Sequence, residues 1–455
     1  MKFEKMIPVL AAGVLLTVLP GCVVGHEPEA RKNAPNPFQA VVQQAGEKVF
    51  PALVYIRAVR DELSGGRDSA VAVSGSGVVI SADGEVVTNH HVIDKASDIR
   101  VLLNDGRAFE AKLVGSDKDT DIALLKLKLP PETPPLAFAE FADSPAHEGE
   151  FVMALGAPWG LNRSVSIGII SCANRYLPDH GEYSLWYQTD AAISPGNSGG
   201  PLIDTDGRIV GINTLGMMTG GAVGFTIPAA TIKVVLPRLR RYGKANWAWF
   251  GLHFQPLRDF DRNIFQPYSH GVVVAATDVG SPARRAGFES NDLLVAIDGV
   301  PVTVTTGEAL PALRRTLGLV PFGRKVTFTV ERAGKTLELR AAAAEKGTVE
   351  GDELSLNGWG FTAKAINRFD NPNLYFYRNR GVFVYGVKEY GGAARGGLHK
   401  QDIIVSVNGR MIDTLADLSE AYGNAEKNSA ETRRSVMVVM RSGATVRLTI
   451  NYSAQ

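Results

Sequence analysis

The chain has 455 residues, 45% of them hydrophobic and 21% charged, a globular balance too long for one compact domain, so about two to four domains are expected. Lys and Arg number 48 against 47 Asp and Glu, for a net charge of +1; with no basic excess or strong basic run, a nucleic-acid partner is not expected. The 48 glycines and the scarcity of long helical patterns favour a β-rich chain with many turns.

The N-terminus reads as a targeting segment. Lys2 and Lys5 precede an apolar run, Ile7 to Leu19, which is too short to span a bilayer and has the form of a signal h-region. Leu19-Pro20-Gly21-Cys22 follows and resembles the bacterial lipobox, in which the cysteine is lipidated and becomes the first residue. Pro20 departs from that pattern, which keeps ordinary signal cleavage shortly afterwards as the alternative. Residues 1–21 are therefore expected to be a lipoprotein-type signal peptide, and residues 22–37, polar and proline-bearing from His26 to Pro37, a tether. With Cys22 as the lipidation site, Cys172 has no partner and no disulfide is expected. Cys172 lies in the apolar run Ser166–Ala173 and reads as a buried small hydrophobe.

From Phe38 to Pro228, short β-branched runs alternate with Gly, Asp and Asn. Ala52–Arg57, Gly77–Ile80, Glu85–Thr88 and Ile122–Leu127 read as strands, with Asp83-Gly84 as a hairpin turn between the second and third. Strands repeated at this spacing suggest a barrel or sandwich. Thr88-Asn89-His90-His91-Val92 continues from the hairpin. In an extended chain adjacent side chains face opposite sides, so one of the two histidines at most can face a given site. Asp121 sits at the mouth of an apolar strand, where a carboxylate is costly without a donor to meet it. A histidine N–H is such a donor. Then comes Gly196-Asn197-Ser198-Gly199-Gly200. Glycines on both sides of a serine allow a tight turn that exposes the hydroxyl beside converging amides; the plain alternative is a Gly/Ser/Pro loop between strands.

His, Asp and Ser in that order match one of the known chain orders of a hydrolytic triad. Thr88-Asn-His-His-Val92, Thr120-Asp-Ile-Ala-Leu-Leu125 and Gly196-Asn-Ser-Gly-Gly200 together resemble the HtrA family of serine proteases. The resemblance implies a mainly β fold, with a chymotrypsin-like double β-barrel protease at 38–241, and it selects His91, the histidine before the Val, as catalytic; His90 is a departure from the usual family residue. It implies Ser198 as nucleophile, His91 as general base and acid, Asp121 as the group that orients the imidazole, and the N–H groups of Gly196 and Ser198 as oxyanion hole. Ala192 stands where trypsin-like relatives carry an acid, so a basic P1 residue is not expected. Ala192 and Ile193 with Ile212, Asn213, Thr214 and Leu215 are expected to line a small apolar pocket for Val, Ile or Ala. Gly216, Gly220 and Gly221 read as hinges of an activation loop or as ordinary loop glycines. Leu63–Arg67 is short where some family members carry an insertion.

Pro228 to Leu239 has helical spacing and a basic end, and reads as the closing helix of the protease. Beyond it the chain repeats itself at a constant offset of 110 positions. Gly271-Val-Val-Val274 aligns with Gly381-Val-Phe-Val384, and Asp292–Gly299 with Asp402–Gly409. Units of this size are domains, and they resemble a pair of α+β PDZ domains, at 248–344 and 354–453, joined by a linker at 341–351. The resemblance implies two loops for a peptide carboxylate, with Phe250, Gly251 and Leu252 in the first and Trp359, Gly360 and Phe361 in the second. The second, Gly358-Trp-Gly-Phe361, has the closer match to the family form. Scaffold domains that only set geometry are the alternative.

The expected function is an exported serine endopeptidase of the HtrA type that degrades misfolded or unfolded envelope proteins. Its partners are unfolded polypeptides, peptide C-termini at the PDZ domains and a membrane reached through the lipid. The expected location is the bacterial envelope, facing the periplasm, on the outer membrane in a Gram-negative cell; Val23 after Cys22 lacks the acidic side chain associated with inner-membrane retention. Family members imply a homotrimer or a multiple of trimers, with Phe38 and Phe50 near such contacts. The alternatives are a regulatory protease that clips one substrate and a holdase with minor proteolysis. No metal or nucleotide motif is seen, and the triad calls for no cofactor.

Overall fold

The computed structural model describes residues 36–67, 69–158, 163–178, 180–217, 223–427 and 434–452. The expected signal segment, Cys22, most of the tether, Gly220 and Gly221 lie outside the described residues.

Helix α1 (Pro37–Val49) leads into the first barrel and buries Ala45 and Val49 in the core. That barrel is built from β1 (Leu53–Glu62), β2 (Ser69–Val79), β3 (Glu85–Asn89), β4 (Ala96–Leu103), β5 (Ala108–Asp117) and β6 (Ile122–Leu127), closed in the order β1-β2-β3-β6-β5-β4. The expected hairpin is there: Val78 faces Val87 and Val79 faces Val86 across the Asp83-Gly84 turn, with Gly84 at φ +88, a conformation that a Cβ would strain. Closure removes the exposed edges that open sheets must protect. Val54, Ile56, Val78, Val87, Leu124 and Leu125 are fully buried in the core, with neighbours such as Leu124 and Leu125 on opposite faces of the sheet.

The second barrel contains β7 (Phe151–Gly156), β8 (Ser164–Arg175), β9 (Trp186–Thr189), β10 (Pro201–Ile203), β11 (Ile209–Met217) and β12 (Val223–Pro228), closed as β10-β11-β12-β9-β8-β7. Cys172, on β8, is half-buried and a free thiol, short of the full burial expected. Helix α3 (Ala229–Tyr242) then crosses back. It buries Ile232, Val235, Leu236 and Leu239, the i, i+3, i+4, i+7 stripe of an amphipathic helix, and it stops at Gly243, whose N–H caps the Leu239 carbonyl at φ +72.

Two repeat units follow. In the first, strands Leu252–Gln255, Val272–Thr277, Leu293–Ile297, Lys325–Arg332 and Lys335–Ala342 lie side by side in chain order, with helix Leu310–Gly318. In the second, Phe361–Ala365, Val382–Val387, Ile403–Val407, Arg434–Arg441 and Ala444–Asn451 repeat the order, with helix Leu415–Lys427. The aligned aspartates explain one part of the repeat. Asp292 is fully buried and pairs with Arg332 at 2.6 Å; Asp402 does the same with Arg441 at 2.7 Å. A buried carboxylate survives only when so paired.

The units differ at their entries. Ala248–Trp249 pairs with Ala344–Glu345, which leaves Leu252–Gln255 paired on one side only among the described residues. Glu353–Leu356 instead pairs antiparallel with Phe361–Ala365, from Glu353 opposite Lys364 to Leu356 opposite Phe361. That segment is also tied to the first barrel by charge. Buried Lys364 meets Glu350, Glu353 and Asp370 at 3.1, 3.3 and 2.6 Å, and Lys95 of the protease reaches Glu353 at 2.6 Å.

Glu350 gives this contact a pH dependence. Burial works against its charge, but the Lys364 hydrogen bond and the nearby Lys118 outweigh that and bring its pKa to about 2. A carboxylate depressed from 4.5 stabilises the folded arrangement above its ordinary pKa and loses that effect as pH falls through 4.5 towards about 2. Amide hydrogen exchange in 350–356 should therefore rise over that window, and Glu350→Gln should show part of the same rise at neutral pH.

Candidate active site

The two histidines do not continue the strand. His90–Ile93 is one helical turn (α2), entered from Asn89 in extended conformation. The expectation that extended geometry separates the two rings is thus replaced by a helical rotation of about 100° per residue. His90 turns inward, with Nδ1 3.2 Å from Ser116 Oγ, and burial lowers its pKa against the opposing charge of Asp94. His91 turns to Asp121. Its backbone N–H donates to Asp121 Oδ1 at 3.0 Å, and its Nδ1 lies 2.8 Å from Oδ2. A carboxylate oxygen accepts, so Nδ1 carries the proton and Nε2 is left as the base.

Asp121 holds this position from a tight turn. Its φ is +54, a left-handed value that Asp tolerates better than most residues. Its carbonyl accepts from the His90 N–H and from Asn89 Nδ2, both at 3.1 Å. The same Asn89 amide donates to Thr214 Oγ1 at 3.0 Å. One buried amide therefore joins the acid turn of the first barrel to β11 of the second.

Ser198 lies in the turn expected for it. Its Oγ donates to the Thr214 carbonyl at 3.0 Å, and among the described residues it makes no hydrogen bond to His91. The loop is pinned from the first barrel by Ser76: its N–H donates to the Ser198 carbonyl at 2.8 Å and its Oγ to the Gly196 carbonyl at 2.6 Å. Thr88 in turn donates to the Ser76 carbonyl at 2.8 Å. Gly199, at φ +85, must be glycine, because a Cβ there would lie 2.2 Å from both Ser76 O and Thr88 Oγ1. Among the described residues, the N–H groups of Gly196 and Ser198 have no acceptor within the chain, which suits them to receive an oxyanion.

The expected pocket is smaller than proposed. Ala192 is exposed and Ile193 nearly buried. Ile212 instead belongs to the shared core. Asn213 is fully buried and holds the carbonyls of Leu155 and Pro201, and Thr214 is engaged with Asn89 and Ile212. Ile212 and Asn213, adjacent on β11, face opposite sides of the sheet and both are buried with Thr214, whereas Leu215 is half-buried. The wall opposite is glycine: a Cβ on Gly216 would lie 2.1 Å from the Ile193 carbonyl, and one on Gly224 2.7 Å from Ile193 Cδ1. Gly216 is explained by this close approach. Among the described residues, those expected to line the pocket carry no charge to receive a basic side chain.

The two candidate carboxylate loops differ. Beside Phe250, Gly251 (φ +71) and Leu252, the structure holds a cavity of about 1150 Å³, lined also by Tyr183, His253 and Arg314 and roofed by Arg368 of the second repeat. In the second loop, Trp359 and Phe361 are fully buried. The N–H groups of Trp359 and Gly360 donate to the Leu356 carbonyl, and that of Gly358 to the Tyr422 hydroxyl. The strand edge beside this loop is taken by Glu353–Leu356. Trp359, Gly360 and Phe361 therefore do not form an open cradle: the closer motif match belongs to the filled groove.

Sequence reasoning gave no role to Asn89, Ser76 or Thr88. The available signal was the Ser74-Gly-Ser-Gly77 run, small residues interrupting an otherwise valine-rich strand where another loop presses in. Asn89→Ala strips donors from Asp121 O and Thr214 Oγ1, so stability should fall by about 1–3 kcal/mol, with a fall in peptide hydrolysis; urea unfolding and initial rates on the same preparation check both.

A trypsin-like peptidase domain model matches residues 75–212, and a PDZ domain model matches 249–342 and 360–451. The chain is 31% identical over 391 residues to a probable periplasmic serine endoprotease DegP-like of Chlamydia muridarum, covering 83% of this chain and 74% of that one. It is 33% identical over 360 residues to the periplasmic serine endoprotease DegP of Escherichia coli, covering 78% and 73%. Among solved structures, HtrA-type protease AlgW with decapeptide superposes with a TM-score of 0.58 at 29% identity, covering 67% of this chain and 99% of that one. The serine endoprotease from Yersinia pestis superposes at 0.54 with 29% identity, covering 68% and 98%.

Proposed function

The chain belongs to the HtrA family of DegP-like serine endoproteases and is a serine endopeptidase, and we propose that Ser198, His91 and Asp121 carry its chemistry. The observation that carries this reading is the His91–Asp121 pair, which holds the proton on Nδ1 and leaves Nε2 as the base. Ser198 Oγ attacks the substrate carbonyl and gives its proton to His91 Nε2. The imidazolium, stabilised by Asp121, then protonates the leaving amine, and water repeats the sequence to free the acid. The Gly196 and Ser198 amides hold the oxyanion, and losing one such donor typically raises the barrier by about 2.7–4 kcal/mol. Attack requires Ser198 Oγ to leave the Thr214 carbonyl, so the arrangement seen is a resting one.

The substrates are unfolded or misfolded polypeptides of the bacterial envelope, cut after small aliphatic residues at the recess beside Ile193. Peptide C-termini dock in the groove of the first PDZ domain, whose strand edge is open, and not in that of the second. The enzyme faces the periplasm, held by lipid on Cys22 at the outer membrane, and assembles as a trimer or a multiple of trimers; the support is the sequence pattern at residues 1–37 for the anchor, the periplasmic relatives for the location and the family resemblance for the assembly.

Digestion of a denatured protein by wild type should give many cuts with Val, Ile or Ala at P1, and Ser198→Ala should give none. Fragments dominated by Arg or Lys at P1 would overturn the pocket assignment, and unchanged digestion by the variant would overturn the nucleophile. A single clip would turn the reading towards a regulatory protease. In a separate titration, a fluorescent peptide with a free C-terminus should bind the full chain, lose affinity about tenfold or more when Gly251 is replaced by Val, and keep it when Gly360 is replaced.

A further inference from the structure

The acid turn is gripped from outside the protease barrels. Trp247 lies where the chain enters the first PDZ domain. Its Nε1 donates towards both oxygens of Asp117, at 3.1 and 3.2 Å, and its ring stacks on Tyr183 at 4.1 Å. Asp117 also accepts the Thr120 N–H and hydroxyl at 3.0 and 2.6 Å. Lys346 lies where the chain leaves that domain. Its Nζ reaches Asp119 at 2.8 Å and Glu182 at 3.1 Å, and the side chain is only 5% exposed. The two gripping residues are joined, since the Lys346 N–H donates to the Trp247 carbonyl at 3.0 Å, one step beyond the Ala248–Glu345 pair. A buried ammonium needs its partners; burial works against its charge, yet Asp119 and Glu182 keep its pKa above that of an ordinary lysine.

Asp117 and Asp119 are the ends of grips on a five-residue turn whose last member is Asp121, itself at φ +54. We propose that Lys346 and Trp247 are positioning residues for the catalytic acid: the root of the first PDZ domain clamps the Asp117–Asp121 turn and so fixes Asp121 against His91. The inference rests on the triad reading above. Neither residue touches the reacting atoms. Lys346 also borders the cavity of the first PDZ domain, which puts the wall of that groove one ion pair away from the turn that carries the acid.

The test uses the full chain as wild type, Lys346→Met, Lys346→Arg and Trp247→Phe, the last keeping a ring while removing the N–H. Each is assayed on a short chromogenic peptide amide, which offers no C-terminal carboxylate to a PDZ groove, and by the rate of fluorophosphonate labelling of Ser198. Lys346→Met should lower kcat and the labelling rate on the order of tenfold to a hundredfold, with KM held within about twofold. Lys346→Arg should restore most of the rate, and Trp247→Phe should fall in the same direction by less. Thermal unfolding reports whether each variant is folded; if Lys346→Met is not, Trp247→Phe decides. Wild-type labelling and kcat in the folded variants, or a loss confined to KM, would overturn the proposal. Failure of wild type itself to label, with Ser198→Ala identical to it, would instead remove the triad reading, and this proposal with it.

Discussion

An aspartate can orient a histidine only if the aspartate itself cannot turn away. Here the constraint is unusually local: Asp121 sits at positive φ at the end of a tight turn, its carboxylate bonded to both the N–H and the ring of His91. Strained backbone persists only where its surroundings over-determine it. Asn89, the His90 amide, the Asp117–Thr120 bonds and the Trp247 indole all bear on the same few residues. The rest of the molecule can be understood by asking how each part reaches that turn. The first barrel supplies it between β5 and β6. The second is stitched to it through Asn89 and Thr214. The first PDZ domain reaches it through Trp247 and Lys346.

The support has an electrostatic side. Burial, with Asp119 nearby, pushes Asp117 up to about 6. Two carboxylates so close in a desolvated site are unfavourable alone, and Lys346 is the cation that answers one of them. Deleting one partner of such a buried pair typically costs about 3–5 kcal/mol, whereas the intact pair adds little net stability. The arrangement therefore fixes geometry more than it adds stability, which suits a catalytic support.

Much of this was legible in the sequence, for a physical reason. A residue of the proposed triad must sit in a short stretch of backbone with special demands, so His91, Asp121 and Ser198 each carry a local signature of Gly, Asn, Asp or Thr. The barrels were legible from β-branched runs and one Asp-Gly turn, and the PDZ pair from its repeat. What the sequence hid was non-local. Ser76 matters because a loop 120 residues away presses on it and Thr88 because it holds the Ser76 carbonyl; the small residues around Ser76 signal a close approach but not its partner. The helical turn at His90–Ile93 interrupted a pattern that read as strand. Ile212 and Asn213 were assigned to a pocket because their neighbours are near the serine, but Ile212 packs into the core and Asn213 is buried against the carbonyls of Leu155 and Pro201. The second carboxylate loop was legible as a loop, while its occupant, Glu-Leu-Ser-Leu at 353–356, is a short strand of alternating polar and apolar residues that suits any sheet edge.

That occupant has a kinetic meaning. Glu353–Leu356 is joined to the groove it fills by only the turn at 357–360, so it competes as a tethered ligand, with an effective concentration on the order of millimolar or above. A free peptide of micromolar affinity, present at micromolar concentration, would leave it in place. The second PDZ domain is thereby converted from a reader into a joint: its binding capacity is used up internally, and the Lys95 and Lys364 ion pairs fasten the same strand to the protease. On the proposed reading, and among the described residues, the groove left to receive peptide ends is the one that borders Lys346.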